Sequence, residues 1–416
     1  MLRVAKRASS DRGEFVLDSN QMNPPRSTAV GLLPRTVVVL GIVSFLNDAA
    51  SEMITPLLPL FLTATLGAGP AIVGLVEGVA EATASVLKLV SGRLADRGVR
   101  AKSLVVAGYG LSNAMRPLIG LAAAWSAVLA LRFLDRVGKG IRTAPRDALI
   151  AGAVPAAQRG RAFGFHRSMD HAGAVVGPLV AFALLSAAVD LGTVFLASVV
   201  PGLLVIGLLV FGVPGSERYT APATTARGTF AWRTLHVRLR AMIVAAGALA
   251  LASVPEVFIV LWATQSGMQV KWVPLVWAAA SLAKMLIALP AGIVSDRLGR
   301  VPVLLGGWTV RVVVLGLLAW WPQPSRSVVW LLFIAYSATL AITEPAERSL
   351  IGDHAAGHER GTAYGLYHLA SGLLVLPGAV LFGAIWQQAG SPVAFAVAAT
   401  ITAIAAAWML MLARGD

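Results

Sequence analysis

Long apolar stretches, separated by short polar segments, follow one another along almost the whole chain. A helix crosses the hydrocarbon core of a membrane with about 20 apolar residues, and twelve stretches meet that requirement. They lie near residues 36–62, 71–91, 103–123, 126–151, 164–188, 191–213, 241–263, 272–292, 302–321, 327–351, 362–387 and 391–413. The pattern predicts an all-α integral membrane protein with twelve transmembrane helices.

The second half of the chain repeats the first at an interval of roughly 200 residues. The sequence GRLADRGVR from Gly92 recurs as GIVSDRLGR from Gly292, and RGRAFGF from Arg159 recurs as RGTAYGL from Arg360. Parallel repeats of this kind are typical of transporters that hold the substrate between the two halves near the membrane midplane.

The repeat predicts the domain boundaries. Two six-helix bundles are expected at residues 34–213 and 241–416, joined by a polar cytoplasmic linker at 214–240. Residues 1–33 are polar and contain no apolar run, so we expect them to form a cytoplasmic tail.

The composition agrees with a polytopic membrane protein. Of the 416 residues, 57% are hydrophobic and 13% are charged, and the mean hydropathy is +0.76, whereas a soluble domain is about one quarter charged. The chain has no cysteine, which excludes disulfides and thiolate metal sites. No Gly-rich nucleotide-binding loop occurs, so we expect no cofactor, and transport must draw on an ion gradient or on the gradient of the substrate itself.

Basic residues predict the orientation. One set of loops carries most of the short-loop arginines and lysines: Arg93, Arg97, Arg100, Lys102, Arg159, Arg161, Arg297, Arg300 and Arg360. The opposite set carries only Lys271 and Arg326. The positive-inside rule puts the first set, the linker and both termini in the cytoplasm. The net charge of +14 therefore indicates an inner-membrane protein rather than a nucleic-acid partner, and we expect a monomer in the bilayer.

The loops after the second and eighth spans carry a recognisable motif of Gly, Asp and Arg. Its residues are Gly92, Asp96, Arg97, Gly292, Asp296, Arg297 and Arg300. The motif resembles the cytoplasmic signature of the major facilitator superfamily, and the resemblance covers about residues 34–413. It implies that family's fold, alternating access, and a cytoplasmic gate formed by these loops. Arg132 resembles the fourth-span arginine of the drug–proton antiporter branch.

Four further residues are assigned to the same cytoplasmic gate. Arg146 and Asp147 end the fourth span, and Glu347 and Arg348 stand at the matching place with the signs exchanged. Because both halves carry an acid beside a base here, we interpret the four as gate pairs.

Carboxylates in the first two spans are candidate proton sites. Asp48 and Glu52 are four residues apart, as are Glu77 and Glu81, so each pair shares a helical face. A carboxylate held partly away from water binds a proton more readily than one in bulk water. The alternatives are static ion pairs with the fourth span and a solvated rim of a cavity.

The fourth span contains a row of charges at the depth of the midplane: Arg132, Asp135, Arg136, Lys139 and Arg142. Each such charge is costly in lipid unless it is paired or faces water. The row either binds an anionic substrate through its arginines or forms an internal network with the acids of the first two spans. Both interpretations stay open. The second half has no charged equivalents, which favours a role in binding substrate or protons.

Other candidate cavity residues are His166, Arg167, Asp170, Glu256, Glu344 and His368. His166 and Asp170 are four residues apart, but no His or Met cluster accompanies them, so we expect a proton relay or a hydrogen-bonded pair rather than a metal site. The resemblance implies that the seventh and tenth spans, which carry Glu256 and Glu344, line the cavity.

The sequence predicts a secondary active transporter that exports a small molecule in exchange for protons. The alternatives are proton-coupled uptake of a small organic anion, export of a metal or metal chelate, and a non-transporting sensor or assembly factor. No set of acid, base and nucleophile resembles a catalytic site, so an enzyme is not expected.

Overall fold

The computed structural model describes most of the apolar chain. The described residues are 33–96, 100–154, 159–213, 247, 250–321, 324–354 and 360–414. They contain helices and turns and no β-strand, which confirms the predicted all-α fold class.

Seven helices form the first half. They are α1 (Arg35–Ile54), α2 (Pro70–Asp96), α3 (Ala101–Leu118), α4 (Trp125–Gly152), α5 (Arg159–Ser186), α6 (Leu191–Ala197) and α7 (Val199–Gly212). The apolar run of the first span continues beyond α1 through a break at Pro56, a short helix at Leu58–Leu60 and a π-helical turn at Phe61–Thr65. Proline removes a backbone donor and clashes with the preceding turn, which accounts for the break.

Six helices form the described part of the second half. They are α8 (Glu256–Gln265), α9 (Val273–Leu298), α10 (Arg300–Trp320), α11 (Arg326–His354), α12 (Arg360–Ala389) and α13 (Ser391–Arg414). The predicted linker, 214–240, lies outside the described residues, so the two-bundle division of the chain stays a prediction.

Nine helical segments among the described residues are long and apolar enough to cross a membrane. They match nine of the twelve predicted spans. The helices α3 and α4 are not among the nine. In α4, charged residues interrupt the apolar sequence. Much of the predicted seventh span lies outside the described residues, and Ala250–Gln265 is a shorter apolar segment. The total of twelve therefore stays a prediction.

Glycines bring helices into backbone contact at matching places in the two halves. A Cβ atom at Gly177 of α5 would overlap the backbone of Ala49 in α1. A Cβ at Gly378 of α12 would overlap the backbone of Leu251 in the same way. Small residues at such crossings allow the close packing that holds membrane helices together.

Two long helix pairs pack against each other across the halves in the described structure: α2 packs along α12, and α5 packs along α9. The α2–α12 contact is close, because Cβ atoms at Gly74 and Gly383 would overlap the facing backbones of Ala379 and Pro70. Near the turns at residues 66–69 and 266–269, an apolar cluster draws on both halves. Its members include the fully buried Leu57, Phe195, Phe258 and Phe395. We call this the closed end of the molecule.

Replacing Gly177 tests the α1–α5 contact. Gly177→Val should lower the free energy of unfolding by about 3 kcal/mol, the upper range for overpacking, because its Cβ meets backbone rather than a movable side chain. The measurement is equilibrium unfolding in mixed micelles. Gly207→Val is the control, because nothing lies within 4 Å of a Cβ there, and it should change stability by less than about 0.5 kcal/mol. Equal losses would refute the assigned contact.

Candidate functional site

A cavity of about 720 Å³ lies between the two halves. Its wall combines apolar residues of α8, α9 and α11 with seven ionisable side chains: Glu52, Glu77, Arg167, His171, Glu256, Lys284 and Glu344. A pocket of this volume accommodates a drug-sized molecule. The structure thus brings together Glu52, Glu77, Arg167, Glu256 and Glu344 from the predicted site residues.

Glu52 forms a direct link across the cavity. Its Oε2 accepts a hydrogen bond of 2.9 Å from the indole Nε1 of Trp277, which belongs to α9 in the other half. No basic group within the described residues lies in ion-pair contact with Glu52. The charged side chains that interact with it electrostatically are Asp48, Lys139 and Lys284. This carboxylate is therefore held by a neutral donor, at a point where the two halves meet.

Glu256 and Lys284 form an ion pair in the second half. The ammonium of Lys284 lies 2.9 and 3.0 Å from the two carboxylate oxygens of Glu256, and Ser337 donates a hydrogen bond to the same carboxylate. The ammonium also lies 5.8 Å from the centre of the Trp277 ring. The sequence alone does not relate these two charges, because 28 residues separate them and no helical spacing connects them.

Two other charged groups of the wall form ion pairs, Glu77 with a residue of a neighbouring helix and Arg167 with a residue of its own helix. Glu77 accepts from Arg132 at 3.1 Å. Arg167 lies 3.7 Å from Asp170, and its side chain is 63% exposed. Only Glu77 among the acids of α2 is therefore tied to the charges of α4 by a direct ion pair in the described structure.

Asp135 is the centre of a buried ion network. Its carboxylate lies 2.9 Å from Arg116, 3.5 Å from Arg132 and 3.8 Å from Arg136. Arg116 also donates to the side chain and backbone of Asn47, at 2.9 and 3.1 Å. The network thus joins α1, α3 and α4. Sequence analysis missed Arg116, although a lone arginine inside the third apolar span was the available signal.

Arg142 contacts α3 as well. It donates to the hydroxyl of Ser112 at 2.7 Å and lies 4.3 Å above the Tyr109 ring. A similar bond joins the corresponding helices of the second half, α10 and α11. There the arginine lies on the first helix of the pair, because Arg311 of α10 donates to Thr343 of α11 at 3.0 Å.

None of the five charged residues predicted on the fourth span lines the cavity. The reason is the direction of α4, which packs against α2 and α3 rather than against the second half. In the described structure, Arg132 and Asp135 form ion pairs inside this packing and Arg142 bonds to Ser112, although Arg132 Nε and Asp135 Oδ2 have no hydrogen-bond partner. The side chain of Lys139 forms no hydrogen bond or ion pair among these residues. Their predicted role in binding a substrate anion gains no support from this geometry.

His166, Asp170 and Ser44 form a second buried cluster. The hydroxyl of Ser44 donates to Asp170, and His166 Nδ1 lies 3.5 Å from the same carboxylate.

Asp48 accepts from Asn47 at 3.0 Å, and Glu81 interacts electrostatically with Lys139 and Lys88. Within the described residues, no group of three or more ligating side chains is placed to bind a metal ion.

The predicted gate is described only in part. Arg146 and Asp147 pair with each other at 2.9 Å, and Arg300 donates to Ser295 at 3.4 Å. Gly299 has φ +94°, a conformation that favours glycine and explains its place in the turn. Outside the described parts lie Arg97 and the side chains at Asp96, Asp296, Arg348 and His368. Gly92 lies within α2, and Glu347 within α11.

A double-mutant cycle tests the network around Asp135. Asp135→Asn should lower the free energy of unfolding by about 3–5 kcal/mol, because it leaves Arg116 buried without its counter-charge. Arg116→Met should lower it by about 1–3 kcal/mol, because buried acceptors of Asp135 and Asn47 lose their donor. The double variant should lose less than the sum of the two, by about 1–3 kcal/mol. Arg167→Gln, at an exposed site, should change stability by less than about 0.5 kcal/mol. Strict additivity in the cycle would refute the pairing.

Comparisons with known proteins agree with this architecture. A family model described as Major Facilitator Superfamily matches residues 40–283 and 266–416. An uncharacterized MFS-type transporter of Methanocaldococcus jannaschii is 31% identical over 363 residues, which cover 85% of this chain and 89% of that protein. An uncharacterized protein of Mycobacterium tuberculosis is 31% identical over 416 residues, covering 91% of this chain and 94% of that protein.

Solved transporter structures share the fold. The nucleoside transporter NupG superposes with a TM-score of 0.77 at 13% identity, covering 90% of this chain and 99% of that one. An inward-facing, unoccupied bacterial homolog of the human lysosomal transporter Spinster gives a TM-score of 0.75 at 16% identity, covering 92% and 98%. The family match over most of the sequence and the shared fold lead to one conclusion: the chain belongs to the major facilitator superfamily of membrane transporters.

Proposed function

We propose that the protein is a secondary active transporter that exports a small molecule in exchange for protons by alternating access. The observation that carries the proposal is the hydrogen bond between Glu52 and Trp277. It places a carboxylate on the cavity wall, without a basic partner in ion-pair contact, at a contact between the two halves.

A proton at Glu52 changes this contact. An ionised carboxylate accepts a hydrogen bond more strongly than a neutral one, so the ionised form holds α1 against α9 and the neutral form weakens that contact. The halves of such transporters move against each other around the central site. Proton binding at Glu52 therefore biases the equilibrium between two arrangements of the halves, as differential affinity requires.

The other predicted proton sites are placed less favourably for this role. Glu77 is paired with Arg132 at 3.1 Å, and Asp48 is hydrogen-bonded to its neighbour Asn47 rather than to the second half. Glu81 lies among the cations of α2 and α4. We assign the principal proton site to Glu52 and keep Asp48 as the nearest group to which the proton can pass.

The positive-inside rule puts the closed end on the outer side of the membrane, so the structure corresponds to an inward-facing state. The Spinster homolog that shares this fold was also solved in an inward-facing conformation. A cavity that faces the cytoplasm is where an exporter collects its substrate. The resemblance of Arg132 to the antiporter arginine supports the same direction of transport.

Uptake of a small organic anion is the weaker alternative. The cavity wall carries four carboxylates against two permanent cations, and the cations of α4 face α2 and α3 instead. A wall with excess negative charge repels an anion.

Proton coupling is tested in inside-out membrane vesicles with an imposed pH gradient, acidic inside. A panel of amines, acids and neutral compounds is added outside. At least one compound should dissipate the gradient in vesicles with the wild-type protein and not in vesicles without it. Glu52→Gln should abolish this proton movement while substrate exchange without a gradient continues, because only the proton site is lost.

Asp190→Asn is the matched control for charge. Asp190 begins α6 outside the cavity and caps it through the backbone N–H of Thr193 at 3.0 Å, and asparagine caps as well as aspartate. Proton movement in vesicles with the Asp190→Asn variant should equal that in vesicles with the wild-type protein. Full coupling in Glu52→Gln, or no active compound in the wild type, would remove the proposal.

The proposed orientation has its own test. Green fluorescent protein fused after residue 416 should fluoresce in a bacterial inner membrane, and alkaline phosphatase fused there should be inactive, because the positive-inside rule keeps this terminus in the cytoplasm. The same phosphatase inserted between Gly267 and Met268 at the closed end should be active. The opposite pattern would reverse the proposed direction of transport.

A further inference from the structure

We propose that the transported molecule carries a protonated amine, and that its ammonium takes the place that Lys284 now occupies between Glu256 and the Trp277 ring. The inference rests on the proposed function and names the substrate class of that cavity. In the present structure the Lys284 ammonium occupies the position proposed for the ammonium of the ligand.

The charges of the wall favour a cation. Two of its four carboxylates, Glu77 and Glu256, are paired with Arg132 and Lys284. Glu52 is held only by a neutral indole donor in direct contact. The wall carries four carboxylates against two cations, Arg167 and Lys284, and a cavity with excess negative charge concentrates cations.

The position of the Lys284 ammonium has the parts of an amine site. Both oxygens of Glu256 lie within 3.0 Å of the nitrogen, and the Trp277 ring lies 5.8 Å away, within the ~6 Å range of cation–π attraction. Ser337 fixes the carboxylate from behind. A carboxylate fixed in place beside an indole face recognises an ammonium by charge and by shape.

Lys284 is able to leave this position, unlike the other buried cations. Its side chain is 29% exposed, whereas those of Arg132 and Arg116 are only 1–2% exposed. Two further carboxylates of the same cavity, Glu52 and Glu344, interact electrostatically with its ammonium. When a ligand amine occupies Glu256, the flexible lysine stem can turn toward these acids, so no charge is left without a partner.

The rest of the lining indicates the body of the ligand. Val257, Ala288 and Leu340 contribute apolar surface around the ion pair, and Trp277 adds an aromatic face. An amine attached to an apolar or aromatic group therefore fits this site better than a sugar or a polyanion does.

Binding of three matched probes tests the inference: phenethylammonium, 2-phenylethanol and phenylacetate share one aromatic body and differ in charge. Affinities are measured by microscale thermophoresis on the purified full chain in detergent, without any gradient. Phenethylammonium should bind, and the alcohol and the carboxylate should bind at least about tenfold more weakly, because only the ammonium can pair with Glu256.

Three variants test whether the Lys284 ammonium competes with the ligand for the Glu256 carboxylate. Lys284→Met should bind phenethylammonium about tenfold more tightly, since the tethered ammonium no longer competes. Glu256→Gln should weaken binding about 30-fold. Lys284→Arg retains the ion pair in case Lys284→Met does not fold, and its bidentate guanidinium competes better, so it should weaken binding. Asp190→Asn, the same charge change as Glu256→Gln outside the cavity, should leave affinity unchanged.

The inference is overturned if phenylacetate or the alcohol binds as well as the amine, if the amine does not bind, or if the Lys284 and Glu256 variants all keep wild-type affinity. These measurements need no proton movement. Loss of coupling with intact amine binding would therefore refute the proton proposal alone, whereas proton-coupled transport of a neutral or acidic compound without amine binding would refute only the substrate class.

Discussion

Asp135 has no contact with solvent, and the side chains of three arginines surround its carboxylate. An unpaired ion at this depth would cost several kcal/mol, so Arg116, Arg132 and Arg136 must stay where they are for the first half to fold. Through them, α1, α3 and α4 are fixed to one another, and the Arg132–Glu77 pair attaches α2. The buried ion network thus links the first four helices of the first half to one another.

The second half meets the first with different chemistry. Where the first half has Glu77 and Arg132, the repeat places Trp277 and Phe333, whose rings pack edge to face with centres 6.1 Å apart. An aromatic pair needs no neutralising partner, so the Trp277 indole N–H is free to bind Glu52 across the cavity. The partly exposed Glu256–Lys284 pair on the same side can exchange partners. Fixed charges in one half and exchangeable charges in the other suit a site that must hold a ligand and release it.

Sequence reasoning recovered the helices because 20-residue apolar runs and the repeat are properties of the chain alone. It also found Glu52, Glu77, Glu256 and Glu344, because charges inside apolar spans are rare and conspicuous. It could not assign partners. Helical spacing places Arg132 and Arg136 on one side of α4, but which helix that side faces depends on packing between distant segments. Arg116 was equally conspicuous as a lone charge in its span and was overlooked, whereas the pairing of Glu256 with Lys284 depends on packing and could not be inferred.

The bonds Arg142–Ser112 and Arg311–Thr343 join equivalent helices in the two halves with donor and acceptor exchanged. An ancestral duplication accounts for this if one of the two copies later exchanged the arginine and the hydroxyl between the two helices while the bond was retained. An alignment of the two halves pairs Ser112 with Arg311 and Arg142 with Thr343. Each pair then counts as a mismatch, although the bond is present in both halves. The true internal symmetry of this chain is therefore greater than its two half-sequences indicate, and it is the pairs of positions, taken together, that record the shared ancestry.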